Sequence, residues 1–303
     1  MRVLFKSRPG FGGLAFNVLN ALILFAFTFI CIYPFYYIVI SSLSSPGAIS
    51  RGVYLWPREF TTISYQRILI TPGISRSAFI SLARTVLGTF IAVACSTFVG
   101  YIFSYREIPF RKYVYRFFIT TMYLAAGFVP VYILMSSLGL RDNFLIYILP
   151  GAVSAYFLIL TKTYIETLPD SLREAAEIDG AGIVKIFLIV VVPLSKPIIA
   201  CLVVFSAVGQ WNAWSDTLYY VQNPRLYPLQ YLLYKMLQNN MAEAMRAGNA
   251  ADSASIARNI KQELTPAALR LTMTCITTLP ILLVYPFMQR YFVKGMLLGA
   301  IKG

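Results

Sequence analysis

The chain has 303 residues, of which 58% are hydrophobic and only 13% are charged, and its mean hydropathy is +0.68. This composition excludes a soluble globular protein, because a soluble domain of that size exposes far more charge. The formal net charge of +14 does not indicate nucleic-acid binding, since the basic residues are scattered between apolar segments and suit membrane headgroups better.

Six apolar stretches approach the roughly 20 residues that a helix needs to cross a bilayer. We predict spans at about 17–41, 77–105, 117–140, 143–161, 185–210 and 269–290. Pro193 and Pro197 fall inside the fifth span, where we expect a kink and not an end. The chain is therefore predicted to be an all-α integral membrane protein with both termini on one side. Basic residues in segments 1–16 and 291–303 indicate that this side is cytoplasmic.

A charged loop, residues 169–183, separates the fourth predicted span from the fifth. Ser171 and Glu174 have the spacing of a capping box, which predicts a short helix over about 172–179. Gly180 follows, and glycine at this point is typical of the left-handed residue that ends a helix. We expect a stiff, acidic, alanine-rich knob. It suits a basic cleft on a protein partner better than an anionic membrane surface, which is the alternative.

Residues 211–266 form a long segment that we predict to lie outside the membrane. Apolar residues from Leu229 onward recur at helical spacing after Pro228, so the pattern predicts an amphipathic helix there. Such a helix packs on the bundle or rests in the headgroups. Contact with a docked partner is the alternative.

The charged loop resembles the signature with which permease subunits of ATP-binding-cassette importers dock on their ATPases. Its pattern is EAA, three residues, Gly, nine residues, and aliphatic residues before Pro193, which here are all Val where the family has Ile and Leu. The resemblance covers the whole chain, including the stretch FSAVGQWNAWSD at 205–216 and the closing YFVKGMLLGAIKG at 291–303. It is to the second permease of carbohydrate importers, in the branch that handles oligo- and polysaccharides and acidic relatives such as alginate.

This resemblance implies the type I importer permease fold, with six transmembrane helices and a cytoplasmic coupling helix, in the bacterial inner membrane. It also implies partners: a second homologous permease, two ATPase subunits, an extracytoplasmic solute-binding protein and a saccharide. ATP and Mg would be bound by the ATPases, so we expect no cofactor and no catalytic residue on this chain. Carried over to this sequence, the coupling residues are Glu174, Ala175, Ala176 and Gly180, and Asp179 adds negative charge beside them.

Polar and aromatic residues in or near the spans are the candidates for a sugar path, because rings stack on sugars and amides bind hydroxyls. Gly127 and Pro130 are expected to break the third span. The candidates near that break and at the outer end of the fifth span are Tyr123, Tyr132, Gln210, Trp211, Asn212 and Trp214. Arg84 and Lys196 lie inside spans, and Arg84 is a candidate partner for an acidic sugar. The alternatives are an interfacial aromatic belt and snorkelling of the two cations.

Two other functional classes compete with this interpretation. An ion-coupled secondary transporter needs intramembrane carboxylates, yet none of the 12 acidic residues falls inside a predicted span. A membrane-embedded enzyme is disfavoured because the chain has no His and no clustered carboxylates facing a span. No metal site is expected, since the cysteines stand singly in apolar runs, at Cys31, Cys95, Cys201 and Cys275.

Overall fold

The computed structural model describes residues 11–124, 126–238 and 265–300. These residues form helices joined by loops, and the single β-bridge found among them is isolated, between Ser44 and Phe60. The chain divides into two compact units. The first contains Met1–Ile68 and Arg246–Ile276, and the second contains Leu69–Met245 and Thr277–Gly303.

In chain order, the described helices are α1 (Phe11–Ser42), α2 (Pro46–Ser50), α3 (Ile63–Ile70), α4 (Ile74–Ile102), α5 (Arg111–Tyr123), α6 (Phe128–Ser137), α7 (Ala155–Ile165), α8 (Asp170–Ile178), α9 (Ile183–Leu194), α10 (Lys196–Asn212), α11 (Ser215–Tyr220), α12 (229–238) and α13 (Pro266–Ala300). Short 3-10 turns lie at Phe144–Tyr147 and Pro224–Leu226. Within α9, Phe187–Val191 is π-helical.

Three of these helices contain stretches long and apolar enough to cross a membrane, namely Ala15–Ser42 in α1, the whole of α4, and Pro266–Leu283 in α13. Two bent pairs, α5 with α6 and α9 with α10, pass the same test of length and composition as pairs, and α7 is a shorter apolar helix. Across the described parts of the chain, these apolar segments come in the same order as the six predicted spans.

In the first unit, α1 is an apolar rod, and no residue of its apolar 18-residue window is buried. Its described side chains are exposed over most of its length, as Phe25 is at 71%, whereas its last three residues, 40–42, are buried. The last turns are tied to the following loop, where Tyr33 donates a hydrogen bond to the Tyr54 carbonyl at 3.2 Å. An apolar surface of this length needs lipid or another protein against it.

In the second unit, α4 is the central helix, and it packs against α7 and α10. Gly100 makes the close approach to α7 possible. A Cβ atom at this position would lie 2.9 Å from Cβ of Thr161 and 3.0 Å from the carbonyl oxygen of Leu158. Small residues at such a crossing let two helix backbones approach closely in a membrane.

The two predicted irregularities in the spans take different forms. The third span is broken between α5 and α6, and Gly127 precedes α6 with a φ of 79°. Pro130 lies in the first turn of α6 and not at the break, because a missing N–H is tolerated there. The fifth span was expected to be only kinked, but α9 and α10 turn by 85° at Ser195, between Pro193 and Pro197.

The fourth predicted span, 143–161, differs most from the observed helices. Its first part is the 3-10 turn Phe144–Tyr147 and a loop, and α7 follows at Ala155–Ile165. Pro150 and Gly151 interrupt the helix, and Ser154 caps α7 by accepting a hydrogen bond from the amide of Phe157 at 3.4 Å. An apolar pattern detects the segment but not such a cap.

Candidate functional site

The charged loop forms the short helix α8, which begins two residues earlier than the capping-box prediction requires. Its N-cap is Pro169, with no side-chain cap hydrogen bond, and Asp170 lies in its first turn. The predicted capping box is therefore wrong: Ser171 is already inside the helix. An acidic residue in the first turn stabilises the start of the helix through the helix dipole instead.

The predicted glycine end of this helix is confirmed. Gly180 has a φ of 74°, and its amide donates to the Glu177 carbonyl at 3.0 Å. The amide of Ala181 donates to the Ala176 carbonyl, also at 3.0 Å. These two bonds are those of a Schellman motif, which requires a left-handed residue at the position of Gly180.

One face of α8 is free and the other is anchored. Glu174, Ala175, Asp179 and Gly180 are exposed, whereas Ala176 is half-buried. Ala176 packs against a cluster of buried apolar residues at the end of α4 and the start of α9, which includes Tyr101, Ile186 and Phe187.

Ile178 is a surface residue of α8 that the sequence analysis missed. It is 86% exposed, between the carboxylates of Glu177 and Asp179. An isoleucine that a tight helix end holds out of the bundle is suited to burial in a partner's cleft. The signal was present in the sequence, as an aliphatic residue flanked by acids directly before the terminating glycine.

Glu166, directly after the last residue of α7, ties this helix to α5 close to the charged loop. It accepts a hydrogen bond from Lys162 at 2.7 Å and another from Arg111. Partial burial raises the pKa of Glu166, but the hydrogen bonds and charges of Lys162 and Arg111 outweigh it, and the net pKa is lowered. Glu166 therefore remains ionised and holds the start of α5 against the end of α7.

A second candidate site is a cavity of about 410 Å³ beside α4 and α10. Most of its lining is apolar or small. The polar side chains that line it include Arg84, Tyr147, Gln210, Asp216 and Tyr220.

Arg84 is enclosed in the wall of this cavity, with its side chain 2% exposed. Its guanidinium donates to Asp216 at 2.5 Å and to the Ala213 carbonyl at 3.1 Å. It also donates to the side-chain oxygen of Gln210 at 3.3 Å and lies 4.4 Å from the centre of the Tyr147 ring. Arg84 therefore does not snorkel, and Asp216 neutralises its charge.

The other candidate path residues separate into two groups. Gln210 lines the cavity, and its amide donates to the Tyr147 carbonyl at 3.2 Å. Tyr132 stacks on the cavity residue Tyr220 with ring centres 5.7 Å apart. Tyr123, beside the break in the third span, is 83% exposed.

The remaining candidates contact other elements. Trp211 donates its indole N–H to the Thr277 carbonyl at 2.8 Å. Asn212 accepts a hydrogen bond from Gln230 of α12 at 3.0 Å, and Trp214 stacks on Tyr234 of the same helix at 4.1 Å. Consecutive residues of a helix point in different directions, so a run of candidates at the end of α10 cannot all face one cavity.

Tyr147, Asp216 and Tyr220 were not among the predicted path residues. Asp216 closes the stretch FSAVGQWNAWSD, and its partner Arg84 lies 132 positions earlier in the chain. A pairing of this separation has no local pattern that would reveal it. Lys196, the other cation inside a predicted span, is exposed.

No group of three or more His, Cys, Asp or Glu side chains that could hold a metal ion occurs in the part of the chain that the structure describes. The four cysteines are free thiols.

Comparison with known proteins agrees with this geometry. A family model described as a binding-protein-dependent transport system inner membrane component matches residues 88–298. Protein LplC of Bacillus subtilis (strain 168) is 34% identical over 292 residues, covering 96% of each chain. The polygalacturonan/rhamnogalacturonan transport system permease protein YtcP of the same organism is 32% identical, covering 95% of this chain and 98% of its own.

A solved structure is similar over nearly the whole chain. It is a crystal structure of a bacterial ABC transporter involved in the import of the acidic polysaccharide alginate. The TM-score is 0.82 at 28% sequence identity, and the match covers 95% of this chain and 99% of the solved one.

Proposed function

Because the chain belongs to the family of binding-protein-dependent transport system inner membrane components, we propose that it is the membrane-spanning subunit of an ATP-driven oligo- or polysaccharide importer. The observation that carries the proposal is α8, a rigid, glycine-terminated helix with an exposed acidic face. The sequence of α8 and its end resembles the coupling signature at Glu174, Ala175, Ala176 and Gly180. A secondary transporter has no use for such a docking helix.

In this proposal the chain works in a complex and has no catalytic residue of its own. A second, homologous permease completes the pathway, and two ATPase subunits bind ATP and Mg and dock on the coupling helices. A solute-binding protein delivers the saccharide from outside. The complex lies in the bacterial inner membrane with both termini of this chain in the cytoplasm, the orientation that the basic terminal segments favour.

The chain's contribution to transport is mechanical. When ATP draws the two ATPases together, α8 moves with the cleft that holds it, because its Schellman end and short length make it stiff. Helices attached to α8 then shift, and the pathway opens to the opposite side of the membrane. ATP and substrate each favour a different packing of the same helices, which is sufficient for alternating access.

The cavity beside α4 is the part of the pathway that this subunit supplies. Tyr220, stacked with Tyr132, offers ring faces for sugar C–H groups. Gln210 offers amide groups in the same wall. Asp216 neutralises Arg84, so we propose that this wall binds the saccharide by its rings and hydroxyls.

An acidic saccharide is the favoured substrate class, because the similar proteins include an alginate importer and a permease named for polygalacturonan. The test is ATP hydrolysis by the purified complex with its solute-binding protein, measured against neutral and uronic acid oligosaccharides. We expect stimulation by oligosaccharides, and stronger stimulation by the uronic acid series. Stimulation by neither series, in a complex that hydrolyses ATP, would contradict a saccharide substrate.

A further inference from the structure

Arg173 anchors the inner face of α8 to the end of α4. Its guanidinium lies over the ring of Tyr105, 4.6 Å from the ring centre, and its side chain is only 20% exposed. A guanidinium stacked on an aromatic ring is attracted by the ring's electrons, and more strongly when water is excluded.

The ionic partners of Arg173 are looser than its aromatic one. Its Nη2 lies 3.8 Å from Glu107, and its Nε lies 3.6 Å from Glu177. Both distances exceed those of a hydrogen bond, and the buried Nε has no hydrogen-bond partner among the described residues. The contact of Arg173 is therefore mainly a stack on the Tyr105 ring, to which the two carboxylates add a weaker electrostatic attraction. It opposes tilting of α8.

Tyr105 and Tyr101 connect the Arg173 side chain to α4. The hydroxyl of Tyr105 is hydrogen-bonded to that of Tyr101, and Tyr101 lies in the last turn of α4, 1% exposed. The Tyr101 hydroxyl also donates to the Ile183 carbonyl at 3.3 Å. Since Ile183 is the first residue of α9, both α8 and the chain that follows it are held by the same pair of tyrosines.

The backbone joint between α8 and α9 gives the stack its importance. The joint consists of Gly180, Ala181 and Gly182, and a Cβ atom added at either glycine would meet nothing within 4 Å. The two Schellman bonds fix Gly180 and Ala181, so the freedom of α8 to pivot relative to α9 lies at Gly182, whose missing side chain leaves its backbone dihedrals least restricted. Ala176 restrains α8 by packing on the buried cluster, and the Arg173 stack adds a second restraint that keeps movement of α8 from being absorbed at Gly182.

Helix α4 leads from the stack to the cavity. It runs unbroken for 29 residues without an internal proline, and Arg84 lies 17 positions before Tyr101, about 25 Å along the axis at 1.5 Å per residue. At the Arg84 end, α4 is bonded to Gln210 of α10. Displacement at Tyr101 is thus delivered to the cavity wall.

From these contacts we infer that Arg173 and Tyr105 are positioning residues that link the docking helix α8 to the cavity-lining helix α4. This inference rests on the proposed function, because it assigns the route by which movement of α8 reaches the pathway. It predicts a specific defect: without the link, ATP is still hydrolysed but less substrate is imported per ATP.

The experiment uses the complete complex with its solute-binding protein, reconstituted in proteoliposomes, and measures substrate imported per ATP hydrolysed. For Arg173→Gln we expect a loss of roughly fivefold or more, the lower end of typical coupling between sites. Tyr105→Leu should cause a similar loss. Arg173→Lys should recover most of the wild-type ratio, since it retains a cation over the ring. Lys112→Gln, which removes an exposed cation elsewhere, should have no effect.

A second measurement separates a link from two independent effects. If the two residues act only through each other, the double variant Arg173→Gln with Tyr105→Leu should lose no more than either single variant. Additive losses would overturn the inference. So would an unchanged import ratio in Arg173→Gln, or failure of that variant to retain the ATPases in a pull-down, since the latter would make Arg173 a docking or folding residue.

The same assay also tests the proposed function, through the wild-type complex. A wild-type complex that binds no ATPase subunits, or that imports no saccharide when ATP is supplied, would contradict the proposed function. A wild-type complex that couples normally, compared with an Arg173→Gln complex that couples equally well, would contradict only the link.

Discussion

Arg84 is held by four groups at once: the carboxylate of Asp216, the Ala213 carbonyl, the Gln210 side chain and the Tyr147 ring. Such a buried cation is stable only while it is paired. Removing one partner of a buried pair leaves an isolated charge, at a cost of about 3–5 kcal/mol. Arg84, which the sequence suggests as a ligand for the substrate, therefore has a structural role: it is the buried partner of Asp216.

For Arg84→Gln, this pairing predicts reduced thermal stability of the purified complex and an equal loss of uptake for neutral and uronic acid oligosaccharides. The reason is that Asp216 becomes an unpaired carboxylate in both cases. Thermal unfolding and parallel uptake assays measure the two effects. Asp216→Asn should be destabilised as well, and the double variant with Arg84→Gln should regain stability because no unpaired charge remains. A loss confined to acidic substrates would show direct contact between Arg84 and the sugar.

At the scale of elements, the end of α8 is the feature that the sequence predicted best. A glycine placed after a short polar helix specifies a Schellman end by local sterics, and local sterics can be read from a few residues. The start of α8 was predicted less well. Ser171 and Glu174 fit a capping box, but the N-cap is Pro169, so the helix begins two residues closer to the N-terminus than predicted.

The turn between α9 and α10 was beyond local reasoning. Pro193 and Pro197 indicate an irregularity, but they do not fix its angle of 85°. Ser195 at the turn is completely buried, so the direction is set by the packing around it. In the same way, hydropathy located the fourth apolar segment but not the loop and cap that shorten α7.

Replacing Gly180 by Val should uncouple ATP hydrolysis from uptake. A residue with a Cβ atom is disfavoured in the left-handed conformation by about 1–2 kcal/mol, and a β-branched one fits worse. A Cβ atom here would meet nothing within 4 Å, so the effect is on backbone conformation alone. The measurement is uptake together with substrate-stimulated ATP hydrolysis.

Gly182→Val is the matched control for this substitution. A Cβ atom added at Gly182 would also meet nothing within 4 Å. The φ of Gly182, however, is −71°, a value that any residue adopts. We expect it to retain coupled transport. Normal transport by Gly180→Val, or an equal defect in both variants, would show that the left-handed end of α8 is not required.

At the scale of the whole molecule, composition and one motif were enough for the class and the family. The content of 58% hydrophobic residues indicates a membrane protein. The coupling signature indicates the family of importer permeases. The arrangement of the cavity was not predictable, because Arg84 and Asp216 are brought together by tertiary packing alone. The contacts of Trp211 and Trp214 illustrate the same limit, since either tryptophan could have faced the pathway.

The exposed apolar surface of α1 agrees with a subunit that functions in an assembly. No residue of its apolar 18-residue window is buried, so the contacts of this part of α1 lie with lipid or with another chain. The cavity, too, belongs to one of two proposed permease subunits. An ion-coupled transporter has no support from the comparisons, which include a transport system permease protein and an ABC transporter involved in the import of alginate.

The central claim is that α8 docks on an ATPase, and site-specific crosslinking tests it most directly. A photoreactive maleimide is attached at Ala175→Cys, in a chain whose four cysteines are changed to Ser, within membranes that contain the whole complex. Gln222→Cys, at an exposed site in the predicted outer segment, is the control. We predict crosslinks from position 175 to the ATPase subunit and none to it from position 222. Crosslinks from 175 only to lipid or to an extracytoplasmic protein would contradict the account.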